Sequence, residues 1–293
     1  MKISSESISF FMPAYNCAKT IEESIQSILM TNFQLNDELV IVNDCSNDNT
    51  SEVLQRILEQ YPFIKIICHS RNKGGGAARN TAIENSKHNL LFCLDSDNIL
   101  VSHSVLPLKN FLLEYKLDVA AFQEIHFFKT SLDQKTHKWK YNKNITLEDC
   151  FLTDKVPGAS GNYLFTKESW LKSGGYPEFS GALDTWGFGF RQLLVNAKMG
   201  TLPDSYYLHR YGHDSYWMRE SQKGNISLIA LQLILPYIDL LDNKDVEYIM
   251  SKEHRKNWFS NIPKRPIHLK KQRKVFHYTI PNMIHKLFDL IRQ

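Results

Sequence analysis

Short apolar runs alternate, along the first hundred residues, with segments whose apolar positions recur at helical spacing. Ile8 to Met12 is the first run, closed by Pro13, and Leu39-Val40-Ile41-Val42, Ile64 to Cys68 and Leu90 to Leu94 are the next three. Unbroken apolar runs such as Leu39 to Val42 and Leu90 to Leu94 read as buried strands. Between them, Ala18 to Met30 places Ile21, Ile25, Ile28 and Leu29 on one helical face, and Thr20 with Glu23 has the spacing of a capping box. Val53, Leu54, Ile57 and Leu58 give a second helix its inner face, and Ala77 to Ser86 is a third. Strands separated by helices of this length predict right-handed βαβ units, hence an α/β fold with a mainly parallel central sheet and helices on both faces.

The pattern loosens beyond Phe111. Val119 to Phe128 reads as a strand, Gln134 to Asn144 as a mobile, lysine-rich excursion, and Asn162 to Phe165 as a strand between glycine-rich turns at Gly158–Gly161 and Ser173–Gly175. Tyr206 to Trp217 is dense in aromatic and histidine residues, and Asn225 to Met250 has helical, mostly apolar character. The expected division is an α/β domain over 1–220 and a helical extension over 221–293. In its last segment Met283, Ile284, Leu287, Phe288 and Ile291 share one helical face.

Composition changes this picture only at the C-terminus. Hydrophobic residues are 43% and charged residues 23% of the chain, the balance of a globular protein. The net charge of +4 hides an asymmetry: from Lys252 onward eleven Lys and Arg face only Glu253 and Asp289, so the body before them is mildly acidic. With the amphipathic last segment, such a tail fits an anionic membrane surface; a helix capping the body or a dimer partner is the alternative. No nucleic-acid-binding motif accompanies the charge, so nucleic acid is not expected. The five cysteines form no CxxC pair, which argues against a zinc site or disulfide framework and for buried free thiols. The first ten residues are too polar for a signal peptide, and Ile226 to Leu241, the longest apolar stretch, is interrupted by Ser227, Gln232, Pro236 and Asp239, so a soluble chain is expected.

The chemistry gathers at the strand ends. In open α/β sheets ligands bind beyond the carboxyl ends of the strands, here the loops Pro13–Asn16, Asn43–Asp48, His69–Gly76 and Asp95–Asn98. Asp95-Ser96-Asp97 follows an apolar strand directly, and two carboxylates so spaced suit a hard divalent cation bridging to substrate phosphates, although Asp, Ser and Asn are also ordinary at a strand exit. The run Gly74-Gly75-Gly76 reads either as a phosphate cradle or as a place of close chain passage.

Taken together, Ile8-Ser9-Phe10-Phe11-Met12-Pro13-Ala14-Tyr15-Asn16, Val42-Asn43-Asp44-Cys45-Ser46, Asn72-Lys73-Gly74-Gly75-Gly76-Ala77-Ala78-Arg79-Asn80, Asp95-Ser96-Asp97, Ser173-Gly174-Gly175-Tyr176-Pro177-Glu178 and Leu183-Asp184-Thr185-Trp186-Gly187 resemble, in this order, the motifs of family 2 glycosyltransferases of the GT-A fold. The likeness covers residues 7 to 217. It departs from the family at Asn43, Asn98 and Leu183, where acids are common.

The resemblance implies a nucleotide-diphosphate sugar donor, UDP-sugar favoured, and a hydroxyl acceptor on a glycan or lipid-linked precursor. It implies nucleotide contacts from Pro13, Tyr15, Asp44, Arg79, Asp95 and Ser96, with Asp44 toward the base and Asp95 toward the ribose. A divalent metal, Mn2+ or Mg2+, would sit on Asp97, with His209 or His213 as a further ligand. Asp184 would be the general base of a single inverting displacement, with Glu178 its nearest rival. Trp186, Tyr207, Tyr211, Tyr216 and Trp217 are candidates for stacking on sugar. The implied place is the cytoplasm, peripheral on the inner face of the plasma membrane. A non-catalytic sugar- or nucleotide-binding subunit, with Asn43 and Leu183 as signs of decay, is the rival of another class. A sugar-nucleotide nucleotidyltransferase would need a basic residue in the loop after the first strand, and Pro13-Ala14-Tyr15-Asn16 has none.

Overall fold

The four apolar runs become adjacent parallel strands in the computed structural model, which describes residues 6–130, 132, 135–152, 155–212, 217, 226–240 and 243–250. They are β1 (Ile8–Ala14), β2 (Glu38–Asn43), β3 (Lys65–Cys68) and β4 (Leu90–Cys93), connected by α1 (Ile21–Leu29), α2 (Thr50–Gln60) and α3 (Gly75–Glu84). Further along lie α4 (Val105–Glu114), β5 (Val119–Phe128), β6 (Lys135–Lys140), β7 (Asn144–Ile145), α5 (Leu147–Leu152), α6 (Pro157–Ser160), β8 (Leu164–Thr166), α7 (Lys167–Ser173), α8 (Asp184–Leu194), β9 (Met199–Arg210), α9 (Ile226–Ile234) and α10 (Asn243–Met250). The nine-stranded sheet has the order β3-β2-β1-β4-β8-β5-β9-β7, with β6 on β5. β8 runs antiparallel to both neighbours, so β5 and β9 keep the direction of β1 to β4 and deliver their carboxyl ends to the same rim.

Successive residues of β1 and β2 point to opposite faces, and Phe10 to Met12 and Leu39 to Val42 are all buried, so both faces of the sheet are covered. Pro13 does not end β1. Phe11 accepts from Leu94 on the β4 side, and Pro13, two residues on, faces the same side, beyond the end of β4 where no ladder bond is required of it.

Further expectations change. Gln134 to Asn144 is not a free excursion: Lys135–Lys140 is a strand, with Trp139 opposite Ile125 and His137 opposite Phe127. Its inward positions are aromatic rather than aliphatic and its outward ones are Thr136, Lys138 and Lys140, so its period of two resembled a polar loop. Thr20 and Glu23 form no capping box either, for Thr20 makes no side-chain cap bond to α1. Of the cysteines, Cys17, Cys93 and Cys150 are buried, but Cys45 and Cys68 are exposed, beyond β2 and at the end of β3. Ala230, Leu233 and Ile234 of α9 belong to the same apolar core as the sheet. No helix among the described residues is long and apolar enough to cross a membrane. His213, Tyr216, the basic tail and its amphipathic end lie outside the described residues.

Candidate active site

One guanidinium organises the rim. Arg79, on α3, donates from Nη2 to Asp95 Oδ1 at 2.5 Å and from Nη1 to Asp184 Oδ2 at 2.6 Å, joining the loop after β4 to the first residue of α8. Its Nε is buried without a protein partner among the described residues, and its plane lies 5.6 Å from the centre of the Tyr176 ring. Asp95 is fixed from the other side by Asn162, whose Oδ1 accepts from the Asp95 N–H at 2.7 Å and whose Nδ2 donates to Asp95 Oδ2 at 3.1 Å. Asp184 Oδ1 accepts the N–H of Thr185 at 2.7 Å, at the N-terminus of its own helix.

One cation between two carboxylates leaves a net negative cluster. Burial pushes the Asp184 carboxyl above its ordinary value, Arg79 pulls it back, and the charge on Asp95 pushes it up again; the direction is up. Burial opposes the charge on Arg79, but Asp184 and Asp95 hold its pKa well above the usual value. Beneath them Cys93 is an inert thiol, pushed up to about 12 by burial.

The glycine run serves close passage. A Cβ on Gly75 would stand 2.6 Å from Asp184 Oδ2 and 2.7 Å from Arg79 Nη1, and one on Gly76 would stand 2.7 Å from the Pro177 carbonyl oxygen. Gly74 is needed for its backbone, with φ at +92°. Asp44 anchors this turn: it accepts from the N–H groups of Lys73 at 2.9 Å and Gly74 at 2.7 Å, and lies 2.6 Å from His69 Nδ1, whose Nε2 meets Thr81 Oγ1 at 3.0 Å. Asp44 is itself enclosed, at 2% exposure. It neither caps α2 nor stands apart from the acids, because the turn it holds is the one that abuts Asp184.

The outer half of the acid loop is held by α1 and β9. The Thr20 hydroxyl donates to the Ser96 carbonyl at 2.9 Å, and Arg210 Nε donates to the Asp97 carbonyl at 3.1 Å while its other end pairs with Glu23. The Arg210 N–H meets Asn98 Oδ1 at 3.0 Å, and Ile99 and Leu208 exchange both backbone bonds at 2.9 Å. The Asp97 side chain is left half-buried at the rim. Each Asp95 oxygen already accepts one hydrogen bond, from Arg79 or from Asn162, so a cation here would draw chiefly on Asp97 with water and substrate oxygens, a donor set that Mg2+ and similar hard ions accept. His209 is one strand position from Arg210, its Nδ1 3.4 Å from the Tyr207 hydroxyl and its ring against Phe127. Among the described residues no three His, Cys, Asp or Glu side chains converge on a metal-sized site.

Pro13 is half-buried and Tyr15 is 43% exposed beside the loop Ser46–Asn47, which Asn16 ties down through both its backbone and its side chain. Glu178 is exposed and accepts from Asn80, away from the Arg79 cluster. Trp186 is core, stacked on Phe190, and Tyr207 is buried; Tyr211 is half-buried and Trp217 exposed. Sequence reading missed Asn162, His69, Tyr176, Asn80 and Arg210 as site residues. Each acts on a partner at least 25 residues away; Asn80 and Tyr176 stand inside quoted motifs without a role assigned to them, and no local pattern marks the other three.

The family model for glycosyl transferase family 2 matches residues 9–175. A poly-beta-1,6-N-acetyl-D-glucosamine synthase of Staphylococcus aureus (strain COL) is 34% identical over 95 residues, which are 32% of this chain and 23% of the relative. An uncharacterized glycosyltransferase of Haemophilus influenzae is 31% identical over 110 residues, 38% of this chain and 44% of the relative. The chain therefore matches less than half the length of either curated relative. Among solved structures, S. aureus TarS 1-349 in complex with UDP-GlcNAc superposes with a TM-score of 0.63 at 20% identity, covering 87% of this chain and 73% of that one. A mannosyltransferase from Pyrobaculum calidifontis in complex with GDP-Man and Mn2+ gives 0.55 at 17% identity, covering 79% and 64%. At such identities the likeness speaks for the fold, which is the GT-A fold expected from the motifs. With a model match over more than half its length and that fold beneath the motifs, the chain belongs to glycosyl transferase family 2.

Proposed function

We propose that this chain is an inverting, metal-assisted glycosyltransferase that moves a sugar from a UDP-sugar to a hydroxyl of a glycan or lipid-linked acceptor. The observation that carries the reading is the Arg79 bridge, which sets Asp184 beside Asp95 at the carboxyl rim of a parallel sheet. Asp184, raised by burial, takes the proton of the acceptor hydroxyl as its oxygen bonds to the anomeric carbon and the bond from that carbon to the diphosphate breaks. The proton ends on Asp184 and the electron pair on the nucleotide diphosphate. Asp95 faces the ribose, Ser96 and Asp44 shape the nucleotide side, and Arg79 holds Asp95 and Asp184 in place through its two Nη groups. A divalent cation, Mn2+ or Mg2+, held through Asp97 would neutralise charge gathering on the leaving diphosphate. UDP-N-acetylglucosamine is the first donor to test, since a structural relative binds it.

Asn43 and Leu183, where the family carries acids, do not favour a decayed binding subunit. Asn43 closes its own loop, accepting from the Ser46 N–H and donating to Ser51 Oγ, and Leu183 is core. The deciding measurement is UDP release from UDP-N-acetylglucosamine with Mn2+. Slow hydrolysis is expected, abolished in Asp184→Asn and Asp97→Ala and by chelation. Unchanged turnover in Asp97→Ala would sink the metal assignment, and donor binding without any turnover would favour the binding subunit. The basic tail is proposed as the membrane-facing part, each Lys or Arg near an anionic surface being worth about 1 kcal/mol. Truncation after Ser260 should release the protein from anionic vesicles; retention on them argues for a body-capping role.

A further inference from the structure

β5 does not stop at the rim. Its first residues pair with β8 at Val119 and Ala120, and its last ones pair with β6 on that same side, from Glu124 to Phe128, while β9 accompanies it throughout on the other. The three strands β6, β5 and β9 thus stand above the acids as a continuation of the sheet. Register places mainly aromatic side chains on one face: Trp139 opposite Ile125 opposite Tyr207, then His137 opposite Phe127 opposite His209, with Tyr211 beyond. The rings touch. Phe127 stacks on His137 at 4.3 Å, meets Trp139 and His209 at 5.0 Å each, and lies 6.1 Å from Tyr211, which also meets His137 edge-on at 5.2 Å.

Phe127 is the buried floor of this strip, whereas Trp139, His209 and Tyr211 are half-buried and His137 is exposed. The strip begins at the chemistry. The Tyr207 hydroxyl lies 3.5 Å from Asn162 Nδ2, the group that donates to Asp95 Oδ2. From Tyr207 to Tyr211 it rises roughly 13 Å at about 3.3 Å per strand residue. That is room for more than one sugar ring. A bare structural role accounts for part of this, since a hairpin above a sheet needs side-chain packing to hold. Packing alone would favour aliphatic residues drawn fully inward. Here flat rings are left at the surface, interleaved with imidazole donors and acceptors.

We propose that the strip of Trp139, His137, Phe127, His209 and Tyr211 is the acceptor subsite, taking the pyranose rings of a glycan chain against its aromatic faces and directing the terminal hydroxyl toward Asp184. The assignment rests on the glycosyltransferase reading above and deepens it. Pyranose rings present C–H groups on one face and hydroxyls around the edge, which matches aromatic faces bordered by imidazole nitrogens. The occupant is therefore an acceptor of at least two pyranose units rather than a lone lipid phosphate, since among the described residues the cation at this strip is Lys129, whose Nζ lies over the Tyr211 ring at 5.6 Å, and not a fork of arginines.

The test uses the full chain with UDP-N-acetylglucosamine, Mn2+ and a panel of one- to four-unit oligosaccharides of glucose, galactose, mannose and N-acetylglucosamine. UDP release and sugar transfer are followed separately. Trp139→Ala should raise the acceptor KM about tenfold, near the size of one lost aromatic contact, with kcat and donor KM within about twofold. Trp139→Phe, which keeps a ring and the packing of the hairpin, should recover most of the loss. An acceptor KM unmoved in Trp139→Ala, or donor hydrolysis that no oligosaccharide accelerates, overturns the subsite while leaving the transferase standing. Wild-type protein that releases no UDP overturns the transferase reading itself.

Discussion

Asp184 shares one positive charge with Asp95, and that sharing has a pH consequence. In its proposed role as general base Asp184 works deprotonated, so activity should fall as pH drops through its pKa. Burial and the neighbouring Asp95 charge both raise that pKa, so the acid limb should lie above the ordinary aspartate value of about 3.9. In Asp95→Asn the neighbouring negative charge is gone and Arg79 pairs with Asp184 alone. Both changes favour the carboxylate, so the limb should move to lower pH in a profile of kcat/KM for UDP release. A limb that stays in place in Asp95→Asn rejects the shared-charge account. At this scale the motif order makes Asp95, Asp97, Arg79 and Asp184 individually legible, but not their connection. Arg79 and Asp184 stand 105 residues apart, and it takes glycine at 75 and 76 to let α3 come close enough for the bond. Asn162 is a lone polar residue after a glycine, and only the fold gives it Asp95 to hold.

Among the elements, the acid loop is a span suspended between α1 and β9. Thr20 and Glu23 have the spacing of a capping box, yet tertiary contacts claim both, Thr20 through Ser96 and Glu23 through Arg210. Helix-start patterns are local, whereas a loop that must stay in one place draws on whatever donors lie near. Likewise β6 is hidden by its lysines. Lys138 and Lys140 neutralise Glu124 across the pair, so charge that resembles a solvated loop is partly cross-strand pairing. Arg210 is the most connected of the holding residues, lying also 4.5 Å above the Phe128 ring. Arg210→Ala removes one donor from the Asp97 carbonyl and one from the Glu23 carboxylate, at a cost of about 1–3 kcal/mol in unfolding free energy. It should also raise the Mn2+ concentration for half-maximal activity, because the Asp97 loop loses its tether. Arg210→Lys, which cannot span the same partners with a single ammonium, should fall between. Lost stability with an unchanged Mn2+ requirement would make Arg210 structural only.

In the molecule as a whole, the question is whether the helices beyond residue 220 form a unit of their own. The apolar character of that stretch is plain in the sequence, but its docking site is not, since a helical face does not name its partner. That partner is α8. The Leu233 methyls fill the space a Cβ on Gly187 would claim, at 3.1 and 3.2 Å, and Tyr237 lies edge-on to Phe190 at 5.9 Å. Asp184, the proposed base, heads that same helix, so α9 backs that end of the candidate site across one layer of packing. Leu233→Ala opens a cavity under α8 and should cost about 2–5 kcal/mol in denaturant unfolding. Leu228, 55% exposed on the same helix, gives the comparison, with a change of at most about 0.5 kcal/mol on substitution by Ala. If α9 shares the sheet's cooperative core, Leu233→Ala lowers the single unfolding midpoint and reduces kcat together, because Asp184 loses part of its backing. An independent extension would instead give a separate early transition, with the main midpoint and kcat unmoved.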